Sequence, residues 1–256
     1  MSKGLQETDS ASDRKNAELG EIAARYALRQ KQVPAERYSW LNPGMYLPAM
    51  EKERALLELF RRAGLRNLEQ VTLLEVGCGS GGNLLRLIQW GFDPANLVGN
   101  ELLDARLAQA RKRLPIATRI VAGDASTLDC GSFDIVFQST VFSSILDPDL
   151  QQRLAARMWD MTRPGGAILW YDFCYDNPRN ADVRGVPPRR IRELFPQGEP
   201  RLRRITLAPP LARWVSRVST RAYPVLSAMP FLCTHALCWI PKPKRQHSAE
   251  EFSRKG

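Results

Sequence analysis

Histidine is almost missing from the 256 residues: only His235 and His247 occur, against 37 Lys+Arg and 27 Asp+Glu. The five cysteines (Cys78, Cys130, Cys174, Cys233, Cys238) include no Cys-x-x-Cys pair, and an odd count argues against a disulfide framework. A Cys/His zinc site is therefore not expected, and a reducing compartment fits best. No run of about 18 apolar residues occurs, and the first residues, MSKGLQETDSASDRKN, lack the apolar stretch of a signal peptide. The expected location is the cytoplasm. Acidic residues are scarce in the last third, where Asp176 to Gly256 holds 16 basic and 6 acidic residues. Met1 to Tyr175 is balanced at 21 of each, so the whole formal net charge of +10 arises after Asp176. At 44% apolar and 25% charged the chain reads as an ordinary globular protein.

Residues 1–16 are polar and expected to be disordered, as is the basic tail 243–256. Between 17 and 70 the spacing predicts two amphipathic helices, one over 17–32 carrying Leu19, Ile22 and Tyr26, the other over 49–63 ending at Gly64. From Val71 to about Lys242 short apolar runs alternate with longer amphipathic ones. VTLLEV (71–76), NLVGNE (96–101), TRIVAGD (118–124), FDIVFQS (133–139) and AILWYDF (167–173) read as strands with helices between most of them. RLRRITL (201–207) reads as an edge strand and HALCWIPK (235–242) as a last one. The expectation is one α/β domain over 71–242, with a parallel sheet covered on both faces.

The chemistry concentrates in LLEVGCGSGGNLLRL (73–87), a strand, a glycine cluster and a helix. Glycines at 77, 79, 81 and 82 permit a tight turn and close backbone approach, and the free N–H groups of the helix start face the ligand. A nucleoside cofactor site at the end of the first strand follows. Glycines 77, 79 and 82 also satisfy G-x-G-x-x-G, so the cluster alone leaves a nicotinamide oxidoreductase open. Glu75 extends the motif to E-x-G-x-G-x-G. Glu101 ends the second strand, where a carboxylate can accept from two ribose hydroxyls, and Asp124 ends the third, placed to accept from an exocyclic amine.

With FDIVF at the fourth strand and RPGG (163–166) before the fifth, this arrangement resembles the class I S-adenosylmethionine-dependent methyltransferases from about Val71 to Phe173. The resemblance implies a Rossmann-like three-layer sandwich with a mostly parallel seven-stranded sheet, its last strand antiparallel, and an N-terminal helical lid over 17–70. It implies that Glu75, Gly77, Gly79 and Gly81 surround the methionine part of S-adenosylmethionine. Glu101 would hold the ribose, Leu102 flank the adenine, and Asp124 with Ala125 read its edge. Gln138 and Ser139 would lie near the sulfonium. A general base is sought at the carboxyl ends of the fourth and fifth strands, with Asp172 as the candidate; an equal alternative is a carboxylate that hydrogen-bonds a neighbouring loop. No metal ligation is expected.

The acceptor is less legible. RYSWLNPG (37–44), QSTVFSSILD (138–147), residues 169–187 and LAPPLAR (207–213) resemble methyltransferases associated with bacterial polysaccharide biosynthesis, which implies O-methylation of a small or glycan-type acceptor. In that reading Arg37 and Tyr38 sit in the lid, and 174–234 forms the acceptor side. Arg179, Arg184, Arg189 and Arg190 would bind a phosphate, or else form a solvated face. RNA or protein methylation is the alternative that the basic last third leaves open, although no aromatic stacking series supports nucleic acid. A row of Arg213, Arg217 and Arg221 opposite Leu211, Trp214 and Val218 permits peripheral membrane contact through 211–223, against the commoner reading of a helix packed on the sheet. The sequence leaves the oligomeric state open.

Overall fold

Consecutive residues of a strand point to opposite faces, and in the central strands of this chain both faces are apolar. β1 (Leu73–Val76), β2 (Leu97–Glu101) and β4 (Phe133–Ser139) are nearly all buried, as is the second half of β5 (Thr162–Phe173). Strands of that kind need helices on each side. The computed structural model describes residues 15–28, 39–177 and 180–244. Together with β3 (Arg119–Ala122), β6 (Arg201–Leu207) and β7 (Cys233–Pro241), the strands form one seven-stranded sheet in the order β3-β2-β1-β4-β5-β7-β6. The first five pair in parallel, and β7 runs antiparallel to both β5 and β6. This is a Rossmann-like three-layer sandwich.

On one face Leu73, Leu97, Ile135 and Leu169 pack with Leu56 and Phe60 of α2 (Pro43–Arg62), Leu84 and Leu87 of α3 (Gly82–Gln89) and Ala110 of α4 (Asp104–Arg113). The alternate residues Leu74, Val136, Ile168 and Trp170 pack on the other face with Leu154 and Met158 of α5 (Pro148–Asp160), Ile191 of α6 (Pro188–Leu194) and Ile22 of α1 (15–28). Each such side chain contributes about 2 kcal/mol by leaving water. A third cluster joins Leu207 to Ala212 and Val215 of α7 (Pro209–Val218) and Tyr223 of α8 (Tyr223–Ser227).

Three sequence expectations change. α2 begins at Pro43, because Asn42 accepts from Gly44 N and proline suits the first turn. β5 starts at Thr162, since a register shift between Phe133 and Ile135 absorbs Pro164-Gly165-Gly166. In α7 the buried side is Ala212 and Val215, whereas Trp214 and Val218 face solvent beside the arginines. Residues 1–14, 29–38 (with Arg37 and Tyr38), 178–179 (with Arg179) and 245–256 lie outside the described residues.

The strand order reverses between β1 and β4. Their following loops diverge there and open a crevice at the carboxyl ends of the sheet.

Candidate active site

The loop after β1 turns through three left-handed glycines, Gly77 (φ 64°), Gly79 (φ 58°) and Gly81 (φ 79°). At Gly77 the conformation and the space both demand glycine, because a Cβ there would lie 2.6 Å from Val141 Cγ2 in the loop after β4. The buried Glu101 carboxylate ties this loop to β2: it accepts from Gly79 N at 2.7 Å and Leu103 N at 2.9 Å. Each oxygen keeps acceptor capacity toward the crevice. Asp124 accepts from Ser126 N at 2.8 Å and Ser126 Oγ at 2.7 Å, and pairs with Lys15 Nζ of α1 at 2.9 Å. Burial raises the Asp124 carboxyl, but the bonds from Lys15 and Ser126 outweigh it and hold the group below its ordinary value. Gly77, Glu101, Leu102, Asp124, Ala125 and Val141 enclose a cavity of about 130 Å³, closed over by Leu19, Ile22 and Tyr26 of α1. Tyr26 is itself anchored, by Ser144 Oγ at 2.9 Å and by Arg106 stacked 4.3 Å from its ring centre.

A buried polar chain runs behind the glycines. Glu75 Oε1 accepts from Asn83 Nδ2, whose Oδ1 accepts from Lys52 Nζ at 2.9 Å. Lys52 Nζ also donates to Ser139 Oγ at 3.0 Å and lies 4.6 Å from the Tyr171 ring centre. Burial lowers the Lys52 ammonium to about 8 against the pull of Glu75 and Glu53. Burial likewise pushes Glu75 up to about 8, with Asn83 and Lys52 opposing. Glu75 Oε2 and Gln138 Nε2 are buried without a hydrogen-bond partner.

Lys52 lines a second, larger cavity of about 690 Å³ between α2, α7 and the ends of β4, β5 and β7. Its walls are aromatic (Phe137, Tyr171, Phe173, Trp40) with His235, and carry Arg86, Arg113 and Arg213. His235 stacks on Tyr171 at 4.8 Å, and burial drops its imidazole to about 3, so it stays neutral. Ser139 and Thr140 line both cavities. Thr140 (φ 59°) and Thr206 (φ 65°) are the only non-glycine left-handed residues among those described, and both line the larger cavity. At Thr140, on the strip where the two cavities meet, the left-handed backbone holds strain of about 1–2 kcal/mol.

Residues 73–166 match the family profile described as a methyltransferase domain. This segment is a methyltransferase domain. A trans-aconitate 2-methyltransferase of Deinococcus radiodurans is 32% identical over 96 residues, 38% of this chain and 35% of that protein. One from Afipia carboxidovorans is 32% identical over 127 residues, covering 48% and 47%. The matched region thus spans less than half the length of these curated relatives. Phosphoethanolamine N-methyltransferase 2 of Haemonchus contortus, solved in complex with S-adenosyl-L-methionine, shares the fold at TM-score 0.56 and 16% identity, over 80% of this chain and 54% of that one.

The site can be tested against S-adenosylmethionine, the cofactor that the sequence resemblance implies. The Glu101 oxygens can take hydroxyl hydrogens and Asp124 can take an amine's, and both line the smaller cavity, whereas Glu75, its Oε2 unpartnered, is fully buried behind the glycines and lines neither cavity. Gly79, Gly81 and Gln138 lie behind the crevice. Gly79 N is held by Glu101, Gly81 packs on Leu114, and Gln138 Oε1 accepts from Val141 N at 3.1 Å. Asp172 is fully buried and lines neither cavity; it accepts from Ser143 N at 3.1 Å and Phe173 N at 2.8 Å, fixing the loop after β4. Arg189 pairs with Glu193, and Arg190 donates to Gln151 Oε1 and Pro148 O. Neither lines a cavity, nor does Arg184. Sequence reasoning missed Lys52, Asn83 and Tyr171. The signal for Lys52 was its place three and four residues before the buried Ala55 and Leu56, on the inward stripe of α2.

Proposed function

We propose that this chain transfers a methyl group from S-adenosylmethionine to an oxygen of a small acceptor held in the larger cavity, a sugar-type hydroxyl being the acceptor class. The observation that carries this reading is Lys52 Nζ, 3.0 Å from Ser139 Oγ on the strip common to both cavities. When bound, S-adenosylmethionine supplies a methyl carbon already made electrophilic by its sulfonium. The protein's work is alignment, exclusion of water and removal of one proton. Glu101 and Asp124 hold the cofactor. Aromatic walls and the α1 cover keep water out. Lys52, in its neutral amine form, takes the hydroxyl proton as the new C–O bond forms; Asn83 and Ser139 aim it.

Arg86, Arg113 and Arg213 on the cavity wall favour a second reading, a carboxylate acceptor, which the name of the trans-aconitate relatives also suggests. A carboxylate needs no base, and Lys52 would then serve as an ammonium. Labelled-methyl transfer across hydroxyl, carboxylate, RNA and protein pools, repeated across pH, tests these readings. Label in hydroxyl compounds with a rate rising toward pH ~8 supports the first. Label only in carboxylates, RNA or protein sinks it.

A further inference from the structure

One face of the molecule combines two properties that methyl transfer does not need. From Pro200 to Ala249 the chain has no Asp or Glu, yet nine Lys and Arg. Within that run the outer side of α7, α8 and the turn Pro230–Leu232 exposes Trp214 (60%), Val218 (68%), Val225 (64%) and Phe231 (73%). Their inner neighbours Ala212, Val215 and Tyr223 already fill the packed cluster beneath, so the outer side chains have no room to fold inward. Arg217 and Arg221 are exposed among them.

We infer that this face seats on an anionic bilayer surface, with Trp214, Val218, Val225 and Phe231 in the headgroup region and Arg217 and Arg221 on lipid phosphates. Exposed apolar groups interleaved with cations, with no carboxylate among them, are the chemistry of interfacial binding. Four large apolar side chains exposed on elements in contact with one another are more than single scattered surface residues, and a second copy of the same face would bring like charges together. No described helix is long and apolar enough to cross a membrane, so the contact is peripheral. The face also adjoins the larger cavity: Pro209, Ala212 and Arg213 on α7 line it, and Trp40 at its wall neighbours Leu41, which is 91% exposed. Given the methyl-transfer reading of that cavity, its acceptor is a membrane-borne molecule with a polar head.

Co-sedimentation of the full chain with vesicles tests the docking without any assay of activity. Wild type is expected to pellet with phosphatidylcholine mixed equally with phosphatidylglycerol, and not with phosphatidylcholine alone. Replacing both arginines (Arg217→Gln, Arg221→Gln) lowers partitioning about 30-fold, and Trp214→Ser with Phe231→Ser lowers it by about tenfold or more. Both variants keep the wild-type far-UV circular dichroism and cofactor affinity, which separates lost docking from lost folding. Equal binding to both vesicle types, no binding, or a dimer that Trp214→Ser dissolves would overturn the inference. Vesicle binding without methyl transfer to any acceptor would instead count against the function proposed above.

Discussion

Lys52 and Glu75 are joined through a single carboxamide, that of Asn83, which donates to the carboxylate and accepts from the ammonium. Burial moves both groups toward neutrality, to about 8 in each case. A rate that depends on neutral Lys52 therefore climbs as pH rises toward about 8 and levels off above it. Lys52→Met is expected to lower turnover by about 100-fold and to abolish that rise. Its affinity for S-adenosylmethionine stays within a few-fold of wild type, read by titration calorimetry. A rate that instead falls above pH 8 in wild type would identify Lys52 as an anion-binding cation.

Glu101 holds Gly79 N and Leu103 N while facing the smaller cavity. Removing a buried charged acceptor forfeits about 3 kcal/mol across its bonds. Glu101→Ala is thus expected to weaken S-adenosylmethionine binding by about 100-fold or more, measured by calorimetry.

Asp172→Asn should spare turnover and cofactor binding, since the side chain reaches neither cavity. Its effect belongs to stability. Burial lifts the Asp172 carboxyl to about 6, against the bonds from Ser143 and Phe173, so the folded state binds its proton more tightly than the unfolded chain. Stability therefore falls as pH rises from about 4 through about 6, by roughly 3 kcal/mol from this group. Urea unfolding of wild type and variant across that window should show the slope shrinking in Asp172→Asn. A collapse of turnover with unchanged stability would return Asp172 to the catalytic role.

Lys15 occupies Asp124 where an adenine amine is expected to sit. Lys15→Ala removes the competitor and should tighten S-adenosylmethionine binding by about fivefold, the measure of a partly exposed ion pair. Asp124→Asn should weaken it. Stopped-flow binding gives both, and weaker binding in Lys15→Ala would mean that α1 contributes to holding the cofactor.

The smaller cavity was legible because its determinants are local. A strand, a glycine turn and a helix must follow one another in sequence, and Glu101 and Asp124 stand at strand ends that periodicity locates. The larger cavity draws Lys52 from α2, Tyr171 from β5, Thr206 from β6 and His235 from β7, and no local spacing brings these together. His235 read as a plain strand residue because it opens the apolar run Ala236–Ile240; the stacking on Tyr171 places it at the cavity. Of the two readings that Asp172 allowed at its strand end, the structure shows the loop-bonding one, which only the turn of its side chain toward Ser143 N could decide. In α7 apolar residues lie on both sides of a helix of 10 residues, so the pattern could not separate the buried side from the exposed one.

The two cavities touch only along Ser139 and Thr140, and their walls come from different parts of the chain. Most of the smaller cavity's wall lies between Val76 and Leu154, within the stretch recognised by the family profile. Much of the larger cavity's wall lies outside that stretch, in 40–56 and 206–235. If the larger cavity holds the acceptor, as proposed, substitutions in α7 change which molecule is methylated, while those at Lys52 of α2 also reach Asn83 and Glu75 behind the glycines.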